Sequence, residues 1–236
     1  MSGLFITGAG TEVGKTFITC ALAHQLQKQG RAVQVLKPII TGYDPDRPQD
    51  SDSGKLLETL RVPPTDDNVA EISPWRYETP VAPSMAARIE ERAIDLGEVV
   101  QFCRAALEDR ETFTLIEGVG GVMAPITETS TVVDWMMELG CPALLISGSY
   151  LGAISHALTA ATVLAERKVN LIGAVVSESE NSPVPLKETT HAIGQLLPGQ
   201  HVTGVPRVPS YRDAPDLLHF IDFSLKPRRR KVASPP

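Results

Sequence analysis

Several features are scarce in this sequence, and each scarcity narrows what it can be. Cysteine is rare: Cys20, Cys103 and Cys141 are odd in number, widely spaced and never in a CxxC pair. All three lie in or beside apolar segments, so they read as reduced core residues rather than a redox pair or a catalytic nucleophile, which suits a cytoplasmic protein. No apolar run approaches the ~20 residues needed to cross a bilayer. The chain does not open with a basic region followed by a long apolar stretch, so no signal peptide is expected. Internal repeats are missing. Positive charge is also sparse over most of the length. The formal net charge is −6, from 22 basic and 28 acidic residues, but Lys226, Arg228, Arg229, Arg230 and Lys231 crowd the C-terminus. Without those five, 17 basic residues face 28 acidic ones, a charge of −11. A body that acidic argues against nucleic acid as a partner.

What remains is enough for a globular domain. Hydrophobic residues make up 42% of the 236, sufficient for a sizeable core. Short apolar runs alternate with helical patterns. Leu4–Thr7, Ala32–Lys37, Phe113–Gly118, Pro142–Ser147 and Leu171–Ser177 read as buried strands. Apolar spacing predicts helices over Lys15–Gln29, Ile154–Arg167 and Leu186–Leu197. The alternation predicts an α/β fold, three-layered, with a mostly parallel sheet and helices on both faces, as one domain over residues 1–225. Tyr43–Asp52, rich in Asp and Pro, is expected to be a loop, and Arg61–Pro83 an extended excursion. The "KPRRRKVASPP" tail, residues 226–236, lacks apolar periodicity and is expected to be disordered, either simply solvated or in weak contact with nucleic acid or anionic surfaces.

In such a sheet, ligands bind beyond the carboxyl ends of the strands. The residues just after each strand are therefore the ones to inspect. The first strand leads into "GAGTEVGKTF", Gly8–Phe17, between a strand and a helix. Phosphate oxygens need converging backbone N–H groups and gain from a helix N-terminus, and small residues let the chain wrap closely. Lys15 would reach the β- and γ-phosphates and Thr16 would present its hydroxyl to Mg²⁺. The usual loop has four residues between its two glycines; here five separate Gly8 from Gly14. Glu117 ends an apolar strand before "GVGG". A carboxylate there needs a cation, since burying it unpaired is costly, unless the strand end is simply solvated. Asp52 in "DSDSG" is a second metal candidate, or else an ordinary helix N-cap before "GKLLETL". Lys37, at a strand end, offers a second positive charge for a phosphoryl transition state, or again a solvated terminus.

Several stretches taken together resemble the dethiobiotin synthetase family. "ITGAGTEVGKT" is similar to its phosphate loop, including the five-residue spacing. "KPIITG" (Lys37–Gly42), "SDS" around Asp52, Pro80–Ala87, "EGVGG" (Glu117–Gly121), "VVDWM" and "LGAISH" (Leu151–His156) follow in the family's order. The resemblance reaches to about Pro209. It implies a P-loop NTPase-like fold and an ATP-dependent ligase. CO₂ and 7,8-diaminononanoate would form a carbamate, the carbamate would take the γ-phosphate of ATP, and the second amine would close the ureido ring.

By the same resemblance, Thr16, Asp52 and Glu117 would hold Mg²⁺, while Lys37, Lys15 and Thr11 would serve catalysis. The nucleotide would meet Gly8, Glu12, Val13, Gly14, Lys15, Thr16, Phe17, Glu117, Ser177 and Pro206. The diamine would meet Thr41, Gly118, Gly120, Gly121, Leu151 and Ser155, with a homodimer completing the site. Ala9 and Gly10 stand where the family usually has Thr and Asp, Ser155 where it has Asn, and Ser177 where some members have Asn. The rival reading is a switch-type partitioning ATPase without ligase activity. Such proteins carry an additional lysine early in the loop, and Thr7–Val13 contains none. An amide-forming ligase with a glutaminase domain is a further alternative, but none of the three cysteines has the context of its nucleophile.

Overall fold

The structure is a computed structural model that describes residues 3–221. The basic tail and the expected domain boundary at 225 lie outside the described residues. In chain order the elements are β1 (Gly3–Gly8), α1 (Lys15–Lys28), β2 (Ala32–Leu36), β3 (Ile39–Thr41), α2 (Asp52–Thr59), α3 (Asp66–Ile72), β4 (Trp75–Tyr77), α4 (Pro83–Ile89), α5 (Leu96–Glu108), β5 (Thr112–Glu117), α6 (Val132–Leu139), β6 (Ala143–Ser147), α7 (Ala153–Glu166), β7 (Leu171–Ser177), α8 (Leu186–Leu196) and β8 (Val202–Val205).

Six strands form one sheet in the order β2-β5-β1-β6-β7-β8, and every adjacent pair is parallel. The central strands β1 and β6 are buried along their whole length, as expected for a sheet covered on both faces. Alternation along each strand divides the core in two. Leu4 and Ile6 of β1, Leu115 of β5 and Leu144 and Ile146 of β6 pack with Ile18, Leu22 and Leu26 of α1. Phe5, Ile116 and Leu145 face the other way, toward Val99 and Cys103 of α5, Trp135 of α6 and Leu164 of α7. Phe5 meets Trp135 edge-on, with ring centroids 4.8 Å apart. The three layers expected from the sequence are therefore present. All three cysteines are buried and unpaired, and burial pushes the Cys20 and Cys141 thiols up to about 12.

Two expectations fail locally. The Arg61–Pro83 excursion contains α3 and β4. Thr65 caps α3 by accepting from the Asn68 N–H at 3.2 Å, and Asp66 and Asp67 fill its first turn, where negative charge suits the helix dipole. β4 then pairs with β3 in a separate two-stranded parallel sheet, with Ile39 opposite Trp75 and Thr41 opposite Tyr77. The second is one of the two readings left open for Asp52, the N-cap. Ser51 takes that position, its Oγ accepting from the Gly54 N–H at 2.9 Å, which leaves the Asp52 carboxylate free for other work.

Candidate active site

Gly8 ends β1, Glu117 ends β5, and Lys37 follows β2 by one residue, so parallel register brings all three to one edge. Ile6 lies opposite Glu117 and Leu36 opposite Ile116. Between β1 and α1 the loop is drawn close. The Ala9 N–H donates to the Ile146 carbonyl at 2.8 Å, and the Lys15 ammonium folds back to donate to the Gly10 carbonyl at 2.9 Å. A side chain at Gly8 would have no room, because its Cβ would come within 2.9 Å of the Gly10 oxygen and 3.1 Å of the Lys15 Nζ. Gly14, at the N-cap of α1, has φ of 93° and lies so near Ser177 that a Cβ would stand 2.6 Å from the serine Oγ. Glu12, within the loop, has φ of 58°, a left-handed conformation uncommon for a residue with a side chain.

The polar centre is buried. Glu117 is fully inaccessible, and its Oε1 accepts from the Thr16 hydroxyl at 2.7 Å and from Lys37 Nζ at 2.8 Å. Lys37 also donates to the Gly118 carbonyl at 3.3 Å and lies 3.4 Å from Asp52 Oδ2. The second oxygen, Glu117 Oε2, is buried with no protein partner. The two lysines respond in opposite ways to this setting. Burial, assisted by the neighbouring Lys37 charge, pulls Lys15 down to about 8. Burial pulls Lys37 down too, but the Glu117 and Asp52 carboxylates outweigh it and hold the ammonium above its ordinary value. Asp52 is raised by burial and lowered by Lys37, Thr16 and Lys55, ending below the usual carboxylate range.

These donors suit Mg²⁺, a hard cation that takes one or two carboxylates and fills its shell with phosphate oxygens and water. The unpartnered Glu117 oxygen, the Thr16 hydroxyl and the half-exposed Asp52 carboxylate would be the protein's part of such a shell. No closed cage of three or more His, Cys, Asp or Glu side chains exists among the described residues. A metal here would therefore depend on a bound phosphate.

One cavity of about 480 Å³ holds most of the residues singled out from the sequence. Thr11, Glu12, Gly14, Lys15, Thr16, Phe17, Lys37, Thr41, Asp52 and Gly120 line it. A second, of about 950 Å³, shares Glu12, Gly14 and Phe17 and extends over Val13, Ser177 and Pro206. Gly121 packs against Gly10 and lines a smaller third cavity beside His156. Leu151 and Ser155 line none of these three. Both are exposed, Leu151 to 87% of its surface, at the start of α7.

Sequence reasoning missed several residues of the walls. Ile40, Tyr43 and Ser51 line the first cavity, and Glu178, Arg207 and Tyr211 the second. The rule about strand ends could have found some of them, since β8 ends at Val205 and delivers Pro206 and Arg207. Tyr43 gave no such signal, because β3 is only three residues long and lies outside the main sheet.

The AAA domain family model matches residues 2–214. Among solved structures, the chain is similar to the MinC:MinD cell division protein complex of Aquifex aeolicus, with a TM-score of 0.52 and 12% identity, covering 89% of this chain and 83% of that one. It is also similar to a ParA family ATPase from Chlorobium tepidum, with a TM-score of 0.50 and 16% identity over 89% of this chain and 86% of that one. At those identities the likeness speaks for the fold alone, a P-loop NTPase-like single domain. Sequence relatives are much nearer. The ATP-dependent dethiobiotin synthetase of Methylobacterium nodulans is 45% identical over 83% of this chain and 89% of its own length. That of Caulobacter vibrioides is 39% identical over 94% and 99%, and that of Bacillus licheniformis 33% identical over 94% and 92%. This chain belongs to the ATP-dependent dethiobiotin synthetase family.

Proposed function

We propose that this protein is an ATP-dependent cyclo-ligase that carboxylates 7,8-diaminononanoate and closes its ureido ring, giving dethiobiotin, ADP and phosphate. One amine nitrogen bonds to the carbon of CO₂ and releases a proton, leaving a carbamate. A carbamate oxygen attacks the γ-phosphorus of ATP while the bond to the β-phosphate oxygen breaks and ADP departs. The second amine then attacks the carbamate carbon and gives up a proton, the C–O bond to phosphate breaks, phosphate departs and the ring closes. ATP, CO₂ and the diamine are the small-molecule substrates. Partners such as nucleic acid have no part in the reading.

The observation that carries this proposal is the buried cluster of Thr16, Lys37, Asp52 and Glu117 beside the phosphate loop. Lys15 and Lys37 face the negative charge that gathers on phosphate and carbamate oxygens, in a site with little water to screen it. Glu117 holds Lys37 in place and in its charged form. Thr41 offers its hydroxyl to the carbamate, and the backbone from Gly118 to Gly121 stays close to the diamine. The loop amides, Thr11 and Phe17 enclose the triphosphate, with Ser177 and Pro206 nearer the base. Thr16, Asp52 and Glu117 would hold Mg²⁺, which supplies charge neutralisation and orientation of the β- and γ-phosphates. Leu151 and Ser155 are exposed at the start of α7, and in a homodimer they would reach the partner's diamine. The three buried, unpaired cysteines support a cytoplasmic setting; no helix among the described residues is long and apolar enough to cross a membrane.

The purified protein with Mg²⁺, ATP, bicarbonate and the diamine should release one phosphate per dethiobiotin formed. Phosphate release at the same rate without diamine overturns the reading in favour of a switch-type ATPase.

A further inference from the structure

Thr41 is carried on a weak platform. The three-residue strand β3 pairs only with the three-residue β4, and a two-stranded sheet has little stability of its own in water. Something else must hold this wall against the phosphate loop. Tyr43 is placed to do so. Its backbone N–H donates to the Tyr77 carbonyl at 2.9 Å, which extends the small sheet by one bond. It lines the 480 Å³ cavity and is buried in a cluster with Ile40, with Leu57 of α2 and with Val69 of α3. Its hydroxyl donates to Asp66 Oδ1 at 2.6 Å. That carboxylate is itself fixed, because Arg76 Nη1 donates to the same Oδ1 at 3.0 Å and to the Asp66 carbonyl at 2.9 Å. The Arg76 guanidinium also sits 5.5 Å from the centre of the Tyr43 ring.

Tyr43 therefore joins three elements that the main sheet does not join. Thr41 lies two residues before it, and α2, which contributes Leu57 to its cluster, carries Asp52 in its first turn. A short bond from a hydroxyl to a carboxylate is among the stronger side-chain bonds, and it is directional. A shift of about 1 Å in a substrate-positioning group can cost up to ~10² in rate. We propose that Tyr43, held by Asp66 and Arg76, is a positioning residue that sets Thr41 and Asp52 at their working distance from the phosphate loop, a role that rests on the ligase reading given above. The phosphate loop, built on β1 and α1, is independent of this tie. Binding of metal-free nucleotide should therefore be insensitive to it, while engagement of the diamine, and of the Mg²⁺ that Asp52 would hold, should not.

The test uses the full-length enzyme and three variants: Tyr43→Phe, Asp66→Asn and the two combined. Tyr43→Phe keeps the ring and its packing and removes only the hydroxyl. For each, kcat and the KM for diamine are measured at saturating ATP and Mg²⁺, and the Kd of a non-hydrolysable ATP analogue is measured in EDTA without diamine. Tyr43→Phe should raise the diamine KM roughly 5- to 10-fold and lower kcat by a similar factor, with the analogue Kd changed by less than about 2-fold. Asp66→Asn, which weakens the acceptor and also loses the ion pair with Arg76, should move the same parameters in the same direction, and the double variant should be no worse than the more impaired single one, since both act on one contact. A general structural role would instead weaken analogue binding and kcat together without a selective rise in KM, and that overturns the inference. Single variants with wild-type KM and kcat, or losses that multiply in the double variant, overturn it as well. A wild-type enzyme that makes no dethiobiotin overturns the ligase reading, and the inference with it.

Discussion

The two walls of the site are built in different ways. One is part of the main sheet. Glu117, Lys37 and the phosphate loop follow from strands β5, β2 and β1, and both members of the Lys37–Glu117 pair are almost inaccessible, at 3% and 0%. The other wall is assembled from a two-stranded sheet, α2 and a loop, and its charged member, Asp52, keeps 46% of its side chain exposed. Neighbouring strands over-determine the first wall, while a handful of side-chain bonds hold the second. The difference suggests a division of labour. On the proposed reading, the wall built on the main sheet would preorganise charge for the phosphoryl group, and the other wall would meet the diamine and its carbamate.

That division can be broken most sharply at Lys37. Lys37→Ala should leave binding of an ATP analogue largely in place and lower turnover by ~10² or more, the scale of losing one contact to developing charge. Turnover near that of the wild type would remove Lys37 from the mechanism. A comparison of Glu117→Gln with Asp52→Asn is the next test. Glu117→Gln takes away the buried oxygen that has no protein partner and the carboxylate that holds Lys37. It should raise the Mg²⁺ needed for half-maximal activity by roughly 10-fold or more. Asp52→Asn, at a half-exposed position, should raise it only a few-fold. Equal effects in the two Mg²⁺ titrations would erase the contrast between the walls.

A smaller effect concerns protons. Lys15 in the free enzyme is pulled down to about 8 by burial and by Lys37, so at pH 8 it is about half charged. A bound triphosphate favours the charged form, so nucleotide binding near pH 8 should take up about half a proton, and below pH 7 almost none. Calorimetry in buffers of differing ionisation enthalpy measures this directly. The same shift has a sign for folding. Unfolded Lys15 binds more protons than folded Lys15 between pH 8 and 10.5, so this group's contribution to stability rises with pH across that window.

The rigid wall was legible in the sequence for a physical reason. Buried parallel strands are nearly continuous apolar runs, so a Lys37 or Glu117 at the end of one stands out against its surroundings. The loop glycines stand out likewise, because a close wrap around phosphate tolerates nothing larger at Gly8. The other wall left weaker traces. The three-residue strands β3 and β4 are too short for periodicity to register, and the prolines from Pro63 to Pro83 hid α3. Asp52 read as either a metal ligand or a helix cap, because nothing local distinguishes it from Ser51, which is the cap. Tyr43 looked like an ordinary loop aromatic, since its partners Asp66 and Arg76 lie 23 and 33 positions further along the chain.

The central claim is that the carbamate itself takes the γ-phosphate. If it does, one oxygen of CO₂ must leave with the phosphate when the ring closes. The enzyme can be supplied with freshly dissolved ¹⁸O-labelled CO₂, together with ATP, Mg²⁺ and the diamine, over times short against exchange of CO₂ with water. The isotope content of the released phosphate is then read by ³¹P NMR. The account predicts one labelled oxygen in each phosphate formed with dethiobiotin. Phosphate that carries no label while dethiobiotin accumulates would contradict it.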